Sequence, residues 1–173
     1  MGVRRATVDD AEAIERIRVE TWRATYRGLL PDGLIDQLQP NVERRRERLR
    51  STLPGELNFV AEEHAEVVGY ALAGPERTHD SEYSGEVYAI YVLPSAQGKG
   101  HGRALIRECG RALAARGMTS LLIWVLRENR IGRGFYDGIG GTPVREKPLD
   151  EFYGADDYVE VGYGWKDTRS LQL

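Results

Sequence analysis

One cysteine, Cys109, is all the thiol in these 173 residues, so no disulfide framework is available. The chain suits a reducing compartment, and a cytoplasmic protein is expected. No apolar run is long enough to span a membrane. The opening Met1-Gly-Val-Arg-Arg5 resembles a signal n-region, but Asp9, Asp10 and Glu12 replace the apolar segment that should follow. Myristoylation of Gly2 fails because Ala6 stands where Ser or Thr is needed. Histidine is scarce, and the polar loop holding His79, Asp80 and Glu82 has no second His or Cys cluster to complete a ligand set. No metal is therefore expected. Positive charge is not in excess: 24 Lys and Arg against 27 Asp and Glu give a net charge of −3. That argues against a nucleic-acid binder held by phosphate contacts. Repeats and low-complexity segments are absent. The length fits one domain, residues 1–173, able to bury a core without staples.

What is present centres on Gln97-Gly98-Lys99-Gly100-His101-Gly102-Arg103. An apolar strand, Val87–Leu93, precedes it and ends at Pro94; an amphipathic helix, Ala104–Arg116, follows and ends at Gly117. A helix N-terminus offers unpaired N–H groups and partial positive charge, and glycines let backbone approach an anion closely. Lys99, His101 and Arg103 sit where the helix dipole favours acids, which makes sense if a pyrophosphate docks there. The Walker pattern fails because Lys99-Gly100 is followed by His101. The Rossmann fingerprint fails because Arg103 occupies the third glycine position.

The remaining pattern, Gln97-x-x-Gly100-x-Gly102 after a strand ending Leu93-Pro94, resembles the coenzyme A pyrophosphate loop of the GNAT acetyltransferase superfamily. The likeness continues through the second apolar strand, Ser120–Leu126, to Asn129 and to Phe135-Tyr136, with Gly140-Gly141 closing a short helix. It is good over 83–145, loose over the first seventy residues and weak in the tail. Two positions depart: Gly132 stands where a small Ala is usual, and Gly141 where an aromatic is usual. The resemblance implies an α/β fold with a mixed sheet flanked by helices and the use of acetyl-CoA. It implies that Asn129 contacts the pantetheine arm, that Tyr136 lies beside the thioester sulfur, and that Glu86, near the start of the central strand, is a general base. An extended amide chain binds like an added strand, so the candidate edge is Ile90, Tyr91 and Val92, with Phe135 nearby.

The rest of the chain reads as supporting structure. Residues 2–8 suggest a strand, and Thr7-x-x-Asp10 a capping box opening a helix that runs to Tyr26. On that helix Trp22 and Tyr26 share a face. They read as core packing, or as an acceptor-site wall together with Tyr88. A short helix at Asp32–Leu38 precedes another at Pro40–Leu53, with Val42, Leu49 and Leu53 on one side. Its other side holds Arg44, Arg45, Arg46, Arg48 and Arg50, a solvated face or else a seat for an anionic acceptor. Strands are expected at Leu57–Ala61, Val67–Ala73, Thr142–Lys147 and Tyr158–Trp165, with a polar turn at Glu62–Glu66. In the central strand, strict alternation puts Glu86, Tyr88, Ile90 and Val92 on one face and Val87, Ala89, Tyr91 and Leu93 on the other. Asp150–Asp157 is an acidic, aromatic loop, and a frayed tail is expected from Lys166.

The expected activity is transfer of an acetyl group from acetyl-CoA to a small-molecule or peptide amine. A thiol's pKa of about 8.5 lies below tyrosine's of about 10, so Tyr136 can donate to the leaving sulfur without prior ionisation. Two other classes stay open: a CoA-binding module without turnover, and a nucleotide switch, which lacks its Walker lysine. Whether the chain forms a homodimer also stays open.

Overall fold

The computed structural model describes residues 2–149 and 158–171; the acidic loop at 150–157 lies outside them. Its strands are β1 (Gly2–Arg5), β2 (Leu57–Glu63), β3 (Glu66–Pro75), β4 (Gly85–Val92), β5 (Leu121–Leu126), β6 (Thr142–Pro148) and β7 (Val159–Trp165). Its helices are α1 (Ala11–Tyr26), α2 (Asp32–Asp36), α3 (Val42–Arg50), α4 (His101–Ala114) and α5 (Arg130–Gly138). The strands form one mixed sheet in the order β1-β2-β3-β4-β5-β7-β6. Only β4 and β5 run parallel, as a strand–helix–strand crossover through α4 requires.

Local chemistry explains most boundaries. Asp10 closes the expected capping box by accepting the Thr7 N–H at 2.7 Å, and it also takes both Arg4 Nη atoms at 2.8 Å. The β2–β3 hairpin turns on His64 and Ala65, at φ 51° and 64°, the primed geometry that matches strand twist. Along α4, Leu105, Ile106, Cys109 and Leu113 form a stripe sealed against the sheet. Burial pushes the Cys109 thiol up to about 12, as suits a small hydrophobe in the core.

Three expectations are corrected. The third helix is shorter than its periodicity suggests: Asn41 caps it by accepting the Arg44 N–H at 3.0 Å, and it stops at Arg50. Leu53 therefore lies beyond it, 62% exposed rather than packed. The arginine face is largely paired within the chain. Arg45 reaches Glu15 on α1 at 2.8 Å, Arg48 reaches Glu56 at 3.2 Å, and Arg46 and Arg50 share Glu43. Nor is the tail frayed over Thr168–Leu171, a helical turn in which Thr168 and Leu171 are buried. A β-carbon on Gly110 would lie only 2.8 Å from Leu171 Cδ1, so the α4 glycine makes room for that turn.

The third correction concerns β4. Leu72 pairs with Ala89 but Ala73 pairs with Val87, so Tyr88 has no partner on β3. One extra residue is a β-bulge, and it inverts the alternation beyond it. Gly85 faces α4, where a β-carbon would meet Leu113, and Val92 also faces α4, beside Leu105. Strict alternation would put these two on opposite faces. The same strand pairs with β5 only from Gly85 to Val87. Beyond the bulge the two parallel strands part.

Candidate active site

The parted strands open a groove of about 1590 Å³. Ala89–Val92, Ile123–Leu126 and residues of α5 line it, together with Thr21, Trp22 and Tyr26 of α1, Gln97, Gly98, Gly100, His101, Gly102 and Arg103, and Glu160 of β7 and Leu149. Four sets of residues expected from the sequence, the glycine loop, the end of the central strand, Asn129 and Tyr136, therefore border one space.

The glycine loop has the geometry an anion needs. Gly98 and Gly100 stand at φ 74° and 90°, a region other residues enter only with strain. Gly100 is the N-cap of α4, and no side chain caps that helix. Its first N–H groups are thus left for a ligand. Gln97 braces the loop by donating from Nε2 to the Val92 carbonyl at 3.0 Å. The cations divide. Arg103 lines the groove with no described carboxylate paired to it, as does Arg130 at the start of α5. Lys99 instead turns to Glu63 on β2 at 3.0 Å. His101 is 1% exposed, its Nε2 3.7 Å from Glu63, and neither ring nitrogen has a hydrogen-bond partner.

Asn129 is buried and does two things. Its Oδ1 accepts the Gly132 N–H at 2.9 Å and caps α5. Its Nδ2 is left as a donor, and Gly132 accommodates it, since a β-carbon there would come within 2.8 Å of that atom. The missing Ala is thereby explained, and so is Gly141. A β-carbon on Gly141 would collide with Trp165, whose indole occupies that space and donates to the Ile139 carbonyl at 3.1 Å.

Tyr136 reaches the groove from a cage of rings. Phe135, Tyr163 and Trp165 stand 5.3, 5.5 and 6.2 Å from it. Burial, with a smaller contribution from Tyr26, drives its hydroxyl pKa well above the ordinary range, so it stays protonated at any physiological pH. Trp22 donates to the Tyr91 hydroxyl at 2.8 Å and meets Tyr26 edge-on at 4.9 Å. These two α1 residues line the groove and pack at once. Tyr88 also lines it, with its hydroxyl donating to the Pro75 carbonyl at 2.5 Å and the Arg77 guanidinium 4.0 Å above its ring. Burial, with the nearby Glu86 adding to it, pushes that hydroxyl up to about 12.

Glu86 is placed differently from the role expected of it. It is 1% exposed and does not line the groove. Its carboxylate is held by Arg77: Nη2 at 2.5 Å to one oxygen, with Nε at 3.2 Å and the backbone N–H at 3.1 Å to the other. Buried and held by Arg77 outside the groove lining, this carboxylate is not presented to a substrate there. Beside His79, the Asp80 and Glu82 carboxylates are likewise taken up: Arg145 pairs with Asp80 at 2.9 Å and with Glu82, and Lys166 with Glu82 at 2.6 Å.

The sequence reading passed over two groove residues, Trp124 and Glu160. Glu160 is a lone carboxylate in the apolar strand Val159–Trp165, the same signal that drew attention to Glu86. Burial raises its pKa, partly offset by Lys147, whose ammonium is 3.4 Å away.

The family model described as acetyltransferase (GNAT) family matches residues 14–140. A Bacillus subtilis (strain 168) protein named uncharacterized N-acetyltransferase YuaI is 32% identical over 171 residues, 98% of this chain and 95% of that one. Among solved structures, PaiA N-acetyltransferase from Thermoplasma acidophilum, in complex with coenzyme A, superposes with a TM-score of 0.73 at 18% identity, covering 92% of this chain and 96% of its own. YncA from Salmonella typhimurium, with acetyl-CoA, superposes with a TM-score of 0.72 at 22% identity, covering 95% and 92%. At these identities the structural likeness is one of fold.

Proposed function

The chain belongs to the GNAT acetyltransferase family, and from that premise we propose that it moves an acetyl group from acetyl-CoA to an amine by direct attack within a ternary complex, acting as a single domain. The observation that carries this reading is the opening of three things onto one groove: the uncapped α4 N-terminus behind Gly98 and Gly100, the end of β4 where its pairing with β5 has stopped, and the protonated Tyr136.

Each part has work to do. The α4 N–H groups and Arg103 hold the pyrophosphate, and Arg130, which lines the same groove, adds positive charge to it. The pantetheine amides lie along Ile90–Val92 as an added strand, with Asn129 Nδ2 donating to the arm. The amine must attack as the free base. The C–N bond forms, the thioester oxygen becomes an oxyanion facing the backbone N–H near Val92, and the C–S bond then breaks. Tyr136 gives its hydroxyl proton to the departing sulfur. The acceptor, a small-molecule or peptide amine, enters between Trp22, Tyr26 and Tyr88.

Two measurements test this together: calorimetric titration with CoA, and release of free thiol from acetyl-CoA across an amine library. Binding with amine-dependent thiol release is the expected result. Binding without release by any amine would instead identify a CoA-binding module that does not turn over, and absence of binding would remove the loop assignment.

A further inference from the structure

The groove holds a second carboxylate that the resemblance does not assign. We propose that Glu160 and Trp124 form the seat for the acceptor's ammonium group and that Glu160 removes its proton, a reading that rests on the acetyltransferase function proposed above.

The seat is built by the strand pairing. Trp124 of β5 lies opposite Gly162 of β7, and Glu160 lies opposite Leu126 on one side and Lys147 on the other. A β-carbon on Gly162 would come within 3.0 Å of the Trp124 ring, so the glycine lets the indole lie flat on β7. Trp124 and Glu160 both border the groove. Leu126 and Leu149 make the apolar wall beside them, in a cluster with Leu30 and Ile35.

The structure already contains a cation at this place. The Lys147 ammonium sits 4.3 Å from the Trp124 ring and 3.4 Å from the Glu160 carboxylate. An aromatic face and a half-buried carboxylate around one ammonium is the arrangement that binds alkylammonium ligands. Lys147 thus marks the chemistry of the seat, approached from β6, and an incoming ammonium takes its place from the groove side. The other charges that bear on Glu160 come from the β4 side, where Glu86 and Arg77 already neutralise each other. Arg127, next along β5, is engaged by Glu146 at 2.7 Å. Of the carboxylates lining the groove among the described residues, Glu128 is exposed on the turn leading to Asn129. Glu160 is the half-buried one, beside Trp124.

The proton accounting closes. The ammonium gives one proton to Glu160, which passes it to water. The freed lone pair forms the C–N bond to the acetyl carbon, and the C–S bond breaks. The second nitrogen proton replaces the one Tyr136 gives to sulfur. The products are an amide, CoA thiol and one released proton.

The test compares phenethylamine, an alkylammonium near neutral pH, with aniline, which is uncharged there, using thiol release. Wild-type protein should favour phenethylamine. Glu160→Gln should lower kcat/KM for phenethylamine by about 10²-fold, change aniline turnover far less, and leave the KM for acetyl-CoA unchanged. Lys147→Met should lower the KM for phenethylamine at least several-fold with kcat little altered, because a competing cation is gone; it carries the test if Glu160→Gln does not fold. Equal losses for both amines in Glu160→Gln, or an unchanged phenethylamine KM in Lys147→Met, would overturn the seat while leaving the acetyltransferase reading standing. Absence of thiol release by the wild type with either amine and with the wider library would sink both.

Discussion

The ring of Phe135 rests on Gly102: a β-carbon there would stand 3.2 Å from Phe135 Cζ. The last glycine of the anion loop is therefore also the point where α5 meets the N-terminus of α4. Gly102→Ala should force the ring aside and weaken CoA binding by about tenfold, a plausible cost for a crowded contact. Phe135→Leu in the same chain should recover part of that loss. Titration calorimetry of the two single variants and the double variant decides the matter, and strictly additive losses would show that the ring and the glycine are not coupled.

Asn129 joins a helix cap to a ligand contact, and two substitutions separate them. Asn129→Ala loses both and should cost about 1 kcal/mol of stability along with CoA affinity. Asn129→Asp keeps the oxygen that accepts the Gly132 N–H but loses the amide donor. It should melt near the wild-type temperature yet bind CoA more weakly. If Asn129→Asp binds CoA as the wild type does, the residue is a cap and nothing more.

Tyr136→Phe preserves the ring among Phe135, Tyr163 and Trp165 and removes only the hydroxyl. The maximal rate should fall roughly 10²-fold, the low end for a general acid, with little change in acetyl-CoA affinity. Burial already keeps this hydroxyl protonated, so no loss of activity from its ionisation is expected up to pH 10. Wild-type turnover by the variant would move the proton to water or to another donor.

Glu15 links α1 to α3, accepting from Arg18, Arg45 and the Asn41 N–H while 3% exposed. Burial alone would raise its pKa, but those donors outweigh burial and lower it. A carboxyl with a depressed folded pKa contributes stability above its unfolded value of about 4.3, and that contribution fades as pH falls through the folded value. Thermal melts of the wild type should therefore drop steeply below about pH 4.3. Glu15→Gln should start lower, by about 3 kcal/mol, and lose less on acidification. Parallel pH curves for the two proteins would show that another carboxylate governs acid unfolding.

Much of this was legible in the sequence because glycine, capping and strand signals are local. The glycine loop and the α4 stripe rest on neighbours within a few positions, and the Asn129-to-Tyr136 interval and the sheet rest on the family resemblance. What escaped depends on partners a sequence does not pair. Glu86 looks the same along the chain whether it faces a substrate or Arg77, and only the loop joining β3 to β4 brings that guanidinium to it. Glu160 and Trp124 lie far apart in sequence and meet through β5–β7 pairing. Leu171 looked like a loose end because nothing marks Gly110 as its socket. A period of two cannot announce where it skips, so the faces of β4 were misassigned from Tyr88 onward.

That skip matters for how this chain tolerates change. Tyr88, the extra residue of the bulge, divides β4 into a front half paired with both β3 and β5 and a back half paired with β3 alone, along which another chain of amides could lie. Removing Tyr88 would leave Tyr91 and Val92 on their present faces, since regular alternation from Val87 would then match their pairing with β3, and it would take away the irregularity at which β4 leaves β5. Such a shortened protein would keep most of its hydrophobic content and lose its opening. Insertions and deletions at this point are thus changes of architecture rather than of length, and a scan of single-residue deletions along the chain should find here a position where folding survives better than ligand binding.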